Sequence, residues 1–189
     1  MIIIGITGTL GSGKGTVVEY LKNNYGFKHF SASDFINEEI TRRGLPINRD
    51  NQRLVANELR TKYGGSYVAE NLYDRAMKFG GNAVLESLRA VGEIESLRKN
   101  PGKFYLLAVD ADPKIRYDRV TTKRKGEKDQ VSYEHFVEQE QKEMHDTSAG
   151  GMNIAQCMKM ANAHIDNSGS IEQLQNQVDK FVKPLLETK

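Results

Sequence analysis

The chain has 189 residues, of which 38% are hydrophobic and 28% charged, with a formal net charge of +2. That size and balance predict one soluble domain with a full core and room for a small insert. They leave no stretch for a membrane span, no internal disulfide (Cys157 is the single cysteine) and no bulk-charge case for a nucleic-acid partner.

The first residues, Met1 to Thr7, are apolar and β-branched and read as a buried strand, so no signal peptide is expected and the expected compartment is the cytoplasm. Gly8-Thr9-Leu10-Gly11-Ser12-Gly13-Lys14-Gly15-Thr16 follows, and Val17 to Lys22 then reads as the body of a helix. A strand, a glycine-rich turn, a lysine and a helix form the context of a phosphate-binding loop. Glycine lets the backbone approach an anion closely, successive N–H groups make a concave site, and the helix start adds its positive dipole end. Lys14 supplies a full charge to the terminal phosphates. Gly8, Gly11, Ser12, Gly13, Lys14, Gly15 and Thr16 are therefore the expected nucleotide-binding residues. The bland alternative is an ordinary strand-to-helix turn, which the flanks disfavour. Because Gly15 follows Lys14, the hydroxyl arrives one residue late, at Thr16. This Gly-Lys-Gly-Thr ending resembles adenylate kinases and other nucleoside monophosphate kinases, and implies a small-molecule kinase rather than a switch GTPase or a motor.

Further apolar runs at Phe27 to Ser31, Ala83 to Leu85 and Phe104 to Val109, and a weaker one at Ala163 to Asp166, read as strands separated by helical patterns. Such alternation predicts a parallel sheet covered on both faces, with ligands beyond the carboxyl ends of its strands. After the second run, Ser33 or Asp34 is the expected cap of a helix carrying Phe35, Ile36 and Ile40 on its apolar face. Asp34 also has a second reading, as a base or magnesium partner facing the phosphate loop.

Helices are expected over Asn51 to Lys62 and Ser66 to Phe79, each stopped by a glycine pair. Arg53 and Arg60 lie two turns apart, on one face. They read either as a clamp for an acceptor phosphate or as a solvated face paired with Asp50 and Glu58. Glu86 follows the third strand, where P-loop proteins place an acid beside magnesium. Arg89 stands where monophosphate kinases carry the arginine of a Gly-Phe-Pro-Arg turn, although here that turn has neither Gly nor Pro.

Asp112-Pro113 is a strong helix start. The basic helix that follows carries Arg116, Arg119 and Arg124, and a polar helix is expected over Tyr133 to Met144. Together they read as a lid that brings Arg119 and Arg124 to the phosphates and excludes water, against the alternative of a charged surface helix. Thr147 to Gly151 reads as a linker and Met152 to Ala161 as a helix with buried methionines. Asn167-Ser168-Gly169 after the last strand resembles the loop that lies near adenine in dephospho-coenzyme A kinases. His29, His135, His145 and His164 show no metal-ligand spacing and are assigned no role.

Over nearly its whole length the chain resembles the adenylate-kinase-like branch of P-loop kinases. It is similar to archaeal-type proteins described as dephospho-coenzyme A kinase-like or nucleotide kinase-related, which share the Glu86–Arg89 turn and the Asn167 ending. The resemblance implies a three-layer α/β/α fold with a five-stranded parallel sheet in the order 2-3-1-4-5. It implies one kinase domain over residues 1–189, with an acceptor-binding helical region at about 34–80 and a lid at about 114–150. It further implies ATP with Mg2+ and transfer of the γ-phosphate to a nucleotide or nucleotide-like small acceptor. Lys14, Asp34, Arg89, Arg119 and Arg124 are then expected to be catalytic, and Arg53, Arg60 and Arg89 to bind the acceptor. Asn167 is expected near the cofactor, and Asp34, Glu86 and Thr16 near the metal. Dephospho-coenzyme A remains an alternative acceptor, and a regulatory ATP-binding module an alternative of another class. The oligomeric state is open.

Overall fold

A computed structural model describes residues 1–100, 102–123, 132–145 and 152–187. The first half runs β1 (Ile2–Gly8), α1 (Lys14–Tyr25), β2 (Lys28–Ser31), α2 (Ala32–Arg42), α3 (Arg49–Tyr63), α4 (Tyr67–Phe79) and β3 (Ala83–Glu86). The second half runs α5 (Val91–Lys99), β4 (Lys103–Asp110), α6 (Pro113–Lys123), α7 (Tyr133–Met144), α8 (Ile154–Lys159), β5 (Ala163–Asp166) and α9 (Ile171–Glu187).

The five strands pair in parallel in the order β2-β3-β1-β4-β5. This is the α/β P-loop NTPase fold that the family resemblance implied. β1 is central and every one of its residues is buried, as an unbroken apolar run requires. Its alternation sends Ile2, Ile4 and Ile6 to one face, against Val17, Val18 and Leu21 of α1 and Leu174, Val178 and Val182 of α9. Ile3 faces the other way, into a second core with Leu72 and Ala76 of α4, Ile94 and Leu97 of α5 and Cys157 of α8. Burial pushes the Cys157 thiol up to about 12, so it is core filler as expected. A third, smaller core of Ile36, Ile40, Val55, Ala56 and Leu59 joins α2 to α3. No helix among the described residues is long and apolar enough to cross a membrane.

The strand order reverses at β1, with β3 on one side and β4 on the other. The crevice that opens there, beyond the carboxyl ends, is where such sheets take ligands. Two helix ends differ from expectation. The cap of α2 is Ser31, the last residue of β2, whose hydroxyl accepts from the N–H groups of Ser33 (3.1 Å) and Asp34 (3.4 Å). The strand runs into the helix without a loop, so neither Ser33 nor Asp34 is the cap. The helix expected from Met152 to Ala161 is shorter, because Asn153 caps it by accepting from the N–H of Gln156. Asp112 does cap α6, accepting from Lys114 N–H at 2.9 Å, and Ser170 with Gln173 forms a reciprocal cap on α9.

Candidate functional site

The loop from Gly8 to Lys14 is shaped by two close approaches. Gly8 has φ +139° and a Cβ there would lie 1.9 Å from the carbonyl oxygen of Val109 on β4. Gly13 has φ +93° and a Cβ there would lie 2.1 Å from Nδ2 of Asn167. Both are backbone positions that only glycine fits. Ser12 is fully buried and donates its hydroxyl to Thr9 O at 2.9 Å, so it works inside the loop. Gly13 is also the cap of α1, and no side chain satisfies that helix start. Its first N–H groups are therefore left for an anion.

Gly15 is different. It is helical, and nothing lies within 4 Å of a Cβ built there. Gly15→Ala is expected to raise unliganded stability by about 0.5 kcal/mol through helix propensity. A lowered thermal midpoint would contradict that reading.

Lys14 folds back and donates to Gly8 O (2.9 Å) and Thr9 O (2.7 Å). Burial lowers its ammonium to about 8, helped by the charge of Arg89 and opposed by Glu86, Glu143 and Asp110. It lies in an open cleft of about 370 Å³ with Gly11, Gly13, Gly15, Thr16, Glu86, Arg119 and Asn167, and with Leu10, Val120 and Ile171 as apolar walls. The structure thus brings most of the expected nucleotide residues together with Glu86 and Arg119.

Glu86 ends β3 and is half-buried. His29 Nε2 lies 2.9 Å from its Oε2, out of hydrogen-bond alignment. Its carboxyl sits below the usual range, first because of His29 and then through the charges of Lys14 and Arg89, with burial opposing. No role was expected for His29. Its partner became visible only when β2 paired with β3, with Ser31 opposite Glu86.

Asn167 is buried and spans three elements. Its Nδ2 donates to Ser12 O (2.8 Å), its N–H to Asp110 O (2.7 Å), and its carbonyl accepts from Nη2 of Arg119 (2.8 Å). It braces the loop from behind while lining the cleft. Asn167→Ala is expected to cost about 1–2 kcal/mol, since Ser12 O is left without its donor. A denaturant midpoint within error of the parent would rule out the brace. Arg119 itself is half-buried, and its Nη1 is buried without a hydrogen-bond partner among the described residues.

Other expected residues lie elsewhere. Asp34 is exposed in the first turn of α2 and does not line the cleft. Arg53 is exposed, whereas Arg60 is half-buried and close enough to Glu93 for its charge to act on that carboxyl. The alternative pairing with Glu58 is not made among the described residues, where Glu58 bonds Arg43 at 2.5 Å. Arg89 lies near Lys14 and, among the described residues, donates Nη1 only to the soft Sδ of Met152, at 3.7 Å. Arg124 and the linker from Thr147 to Gly151 lie outside the described residues.

Sequence reasoning missed one buried connection. Arg116 is 3% exposed and grips both oxygens of Glu140 on α7, with Ala111 O at 2.7 Å and Leu10 O at 3.4 Å completing its donors. Its guanidinium also lies 5.8 Å over the ring of Phe136. One arginine thus joins the glycine-rich loop, the end of β4 and α7. Glu143 lies one turn along α7 and its charge reaches Lys14. The only sequence signal was an arginine spaced three from Arg119.

Comparison with known proteins bears on the family and the fold. A family model described as an AAA domain matches residues 4–146. The chain belongs to that family. Within reach of this AAA-domain chain are UPF0200 proteins of archaea. The one from Methanothermobacter thermautotrophicus is 30% identical over 188 residues, covering 99% of this chain and 92% of that protein. The one from Methanocaldococcus jannaschii is 29% identical over 194 residues, covering 98% and 91%. Among solved structures, a shikimate kinase from Bacteroides thetaiotaomicron superposes with a TM-score of 0.59 at 15% identity, covering 98% of each chain. A gluconokinase from Sinorhizobium meliloti gives a TM-score of 0.54 at 14% identity, covering 98% of this chain and 95% of that one. At such identities the likeness establishes a fold shared with P-loop kinases.

Proposed function

We propose that the chain is an ATP-dependent kinase that moves the γ-phosphate to a nucleotide or nucleotide-like small acceptor, in the manner of the nucleoside monophosphate kinase branch. One observation carries the reading. A lysine held by two loop carbonyls, beneath an uncapped helix start, shares one cleft with a carboxylate and an arginine. Loop N–H groups and Lys14 would hold the β- and γ-phosphates. Arg119 and Arg89 would neutralise charge on the moving phosphoryl group, and Arg124 belongs to the same proposed set. The apolar walls Leu10, Val120 and Ile171 suit the face of a base.

Magnesium fits this site as an ion carried by the nucleotide. Among the described residues no group of three or more acidic, His or Cys side chains forms a cage. Glu86, at the cleft beside Lys14, and the hydroxyl of Thr16 are the groups to hold it, which matches the habit of Mg2+ to take one or two protein oxygens plus phosphates. When bound it supplies charge neutralisation between the phosphates. Asp34 enters only as an outer partner after rearrangement.

The helices α2 to α4 are proposed as the acceptor side, with Arg60 and Arg89 facing it and Arg53 at its rim. The α6–α7 segment is proposed as the lid. Such an enzyme would work on small molecules in the cytoplasm, where a lone thiol stays reduced.

The test is a phosphate-transfer screen with ATP and Mg2+ against all nucleoside monophosphates and dephospho-coenzyme A. Transfer to a monophosphate is the expected result. Transfer to dephospho-coenzyme A alone would move the acceptor. ATP binding with transfer to none of the panel would replace the kinase with a nucleotide-binding module.

A further inference from the structure

The turn from Glu86 to Ala90 is the most constrained backbone segment near the cleft. Ser87 has φ +73°, the one positive-φ residue other than glycine among the described residues. A left-handed serine costs about 1–3 kcal/mol and persists only where its surroundings over-determine it. Here they do so from three sides. The N–H groups of Ser87 (3.1 Å) and Leu88 (3.0 Å) both donate to Ile6 O on β1. The N–H groups of Arg89 (2.8 Å) and Ala90 (3.1 Å) both donate to Oε2 of Glu93. Arg89 O accepts from Asn153 N–H at 2.9 Å. Leu88, 2% exposed, lies flat on β1 where Gly5 has no side chain; a Cβ on Gly5 would come within 2.6 Å of it.

Glu93 is the unusual member. It is a carboxylate only 5% exposed, in the first turn of α5. Burial pushes its carboxyl up, while the two amides and the charges of Arg60 and Arg89 pull it down. Burying such a group is unfavourable unless its oxygens are fully used. A backbone constraint and a buried acid are thus both spent on one turn, and beyond Glu86 that turn carries Arg89, a cation near enough for its charge to act on Lys14. No carboxylate among the described residues lies within ion-pair distance of Arg89.

We propose that Glu93 is a positioning residue: by accepting both amides of the Arg89–Ala90 step it fixes Arg89 against the terminal phosphate of a nucleoside triphosphate held in the loop. This deepens the kinase reading and rests on it, since only a triphosphate-using site needs an arginine set at that end. Glu93 touches no ligand. It acts through the main chain, and oxygen acceptance rather than negative charge is what the turn requires.

The test measures the preference for a non-hydrolysable ATP analogue over ADP, both with Mg2+, by calorimetry. The parent is expected to favour the triphosphate. Arg89→Ala is expected to cut that preference by about tenfold, the size of one charge-assisted contact. Glu93→Ala should cut it equally, and the double variant no further. Glu93→Gln keeps an acceptor oxygen in the same place and should restore the preference. Glu93→Asp keeps the charge but falls one methylene short, and should lose it; this variant carries the test should Glu93→Ala fail to fold. A folded Glu93→Asp with the parent's preference, additive losses in the double variant, or a parent with no preference for the triphosphate would each overturn the proposal. The ratio needs no turnover. A protein that binds ATP with this preference but transfers phosphate to no acceptor would remove the kinase reading and leave the role of Glu93 standing.

Discussion

Replacing Lys14 by alanine is expected to leave the sheet intact and to lower phosphoryl transfer by about a thousandfold. The fold survives because Lys14 contributes no core contact. Its ammonium is held by the carbonyls of Gly8 and Thr9 at the mouth of the cleft. Transfer fails because the reaction needs preorganised positive charge where the phosphoryl group moves, and a single lost donor at such a position typically costs two to three orders of magnitude. Circular dichroism and a thermal melt check the first part, and turnover with ATP and the acceptor found in the screen checks the second. Full turnover in a folded Lys14→Ala protein would show that the loop holds no reacting phosphate.

The same lysine sets a pH dependence. Its folded value is lowered from 10.5 to about 8, chiefly by burial. A cation depressed on folding costs stability wherever the unfolded chain holds the proton and the folded chain must hold it too. That cost is complete below pH 8 and is relieved as pH rises from about 8 to 10.5. It amounts to at most about 3 kcal/mol. Unliganded Lys14→Ala is therefore expected to be as stable as the parent at pH 7 or more so, and to lack the parent's gain in stability between pH 8 and 10. Triphosphate affinity should run the other way, falling as pH rises above about 8, because the site then loses its ammonium. An affinity flat between pH 7 and 9.5 would mean that Lys14 does not meet the phosphates.

Glu140→Ala is the second large effect, expected in stability. Arg116 is buried, and Glu140 is its only bidentate partner among the described residues, with Asp110 a further 3.4 Å contact. Removing Glu140 leaves a guanidinium buried and under-neutralised, which costs about 3 kcal/mol or more. Since the pair joins α7 to the loop through Leu10 O, amide exchange should rise across Tyr133–Met144 before the rest of the chain. The double replacement Arg116→Met with Glu140→Leu should recover much of the loss, because it removes both buried charges at once. The denaturant midpoint of the two variants decides. A loss under about 1 kcal/mol in Glu140→Ala would place the pair among ordinary surface ion pairs.

The sequence was most informative where the physics is local. Residues Gly8 to Thr16 are one uninterrupted stretch running from the end of β1 through a turn into α1, so its strand–turn–helix shape could be read from neighbours alone. The observed helix Tyr133–Met144 and strand Ala163–Asp166 match their expected limits, since a cap and a periodic pattern sit within a few residues. The apolar run at Ile2 to Thr7 announced a strand buried on both faces, and it is the centre of the sheet.

What the chain could not announce was which side of an element faces which neighbour. The period of a helix placed Arg53 and Arg60 on one face, yet packing left the first exposed and the second half-buried, where its charge acts on Glu93. His29 met Glu86 only through the pairing of β2 with β3, and Arg116 met Glu140 across 24 positions of sequence. Ser31 became a cap because β2 enters α2 directly. The strand–turn–helix order around Lys14 was thus a matter of short-range stereochemistry, while the close approaches at Gly8 and Gly13 came from Val109 and Asn167. The residues that brace the loop, Asn167 and Arg116, were chosen by burial: each polar group had to find a partner from a distant segment once water was excluded, whereas Glu93 uses the amides of Arg89 and Ala90 just before its own helix.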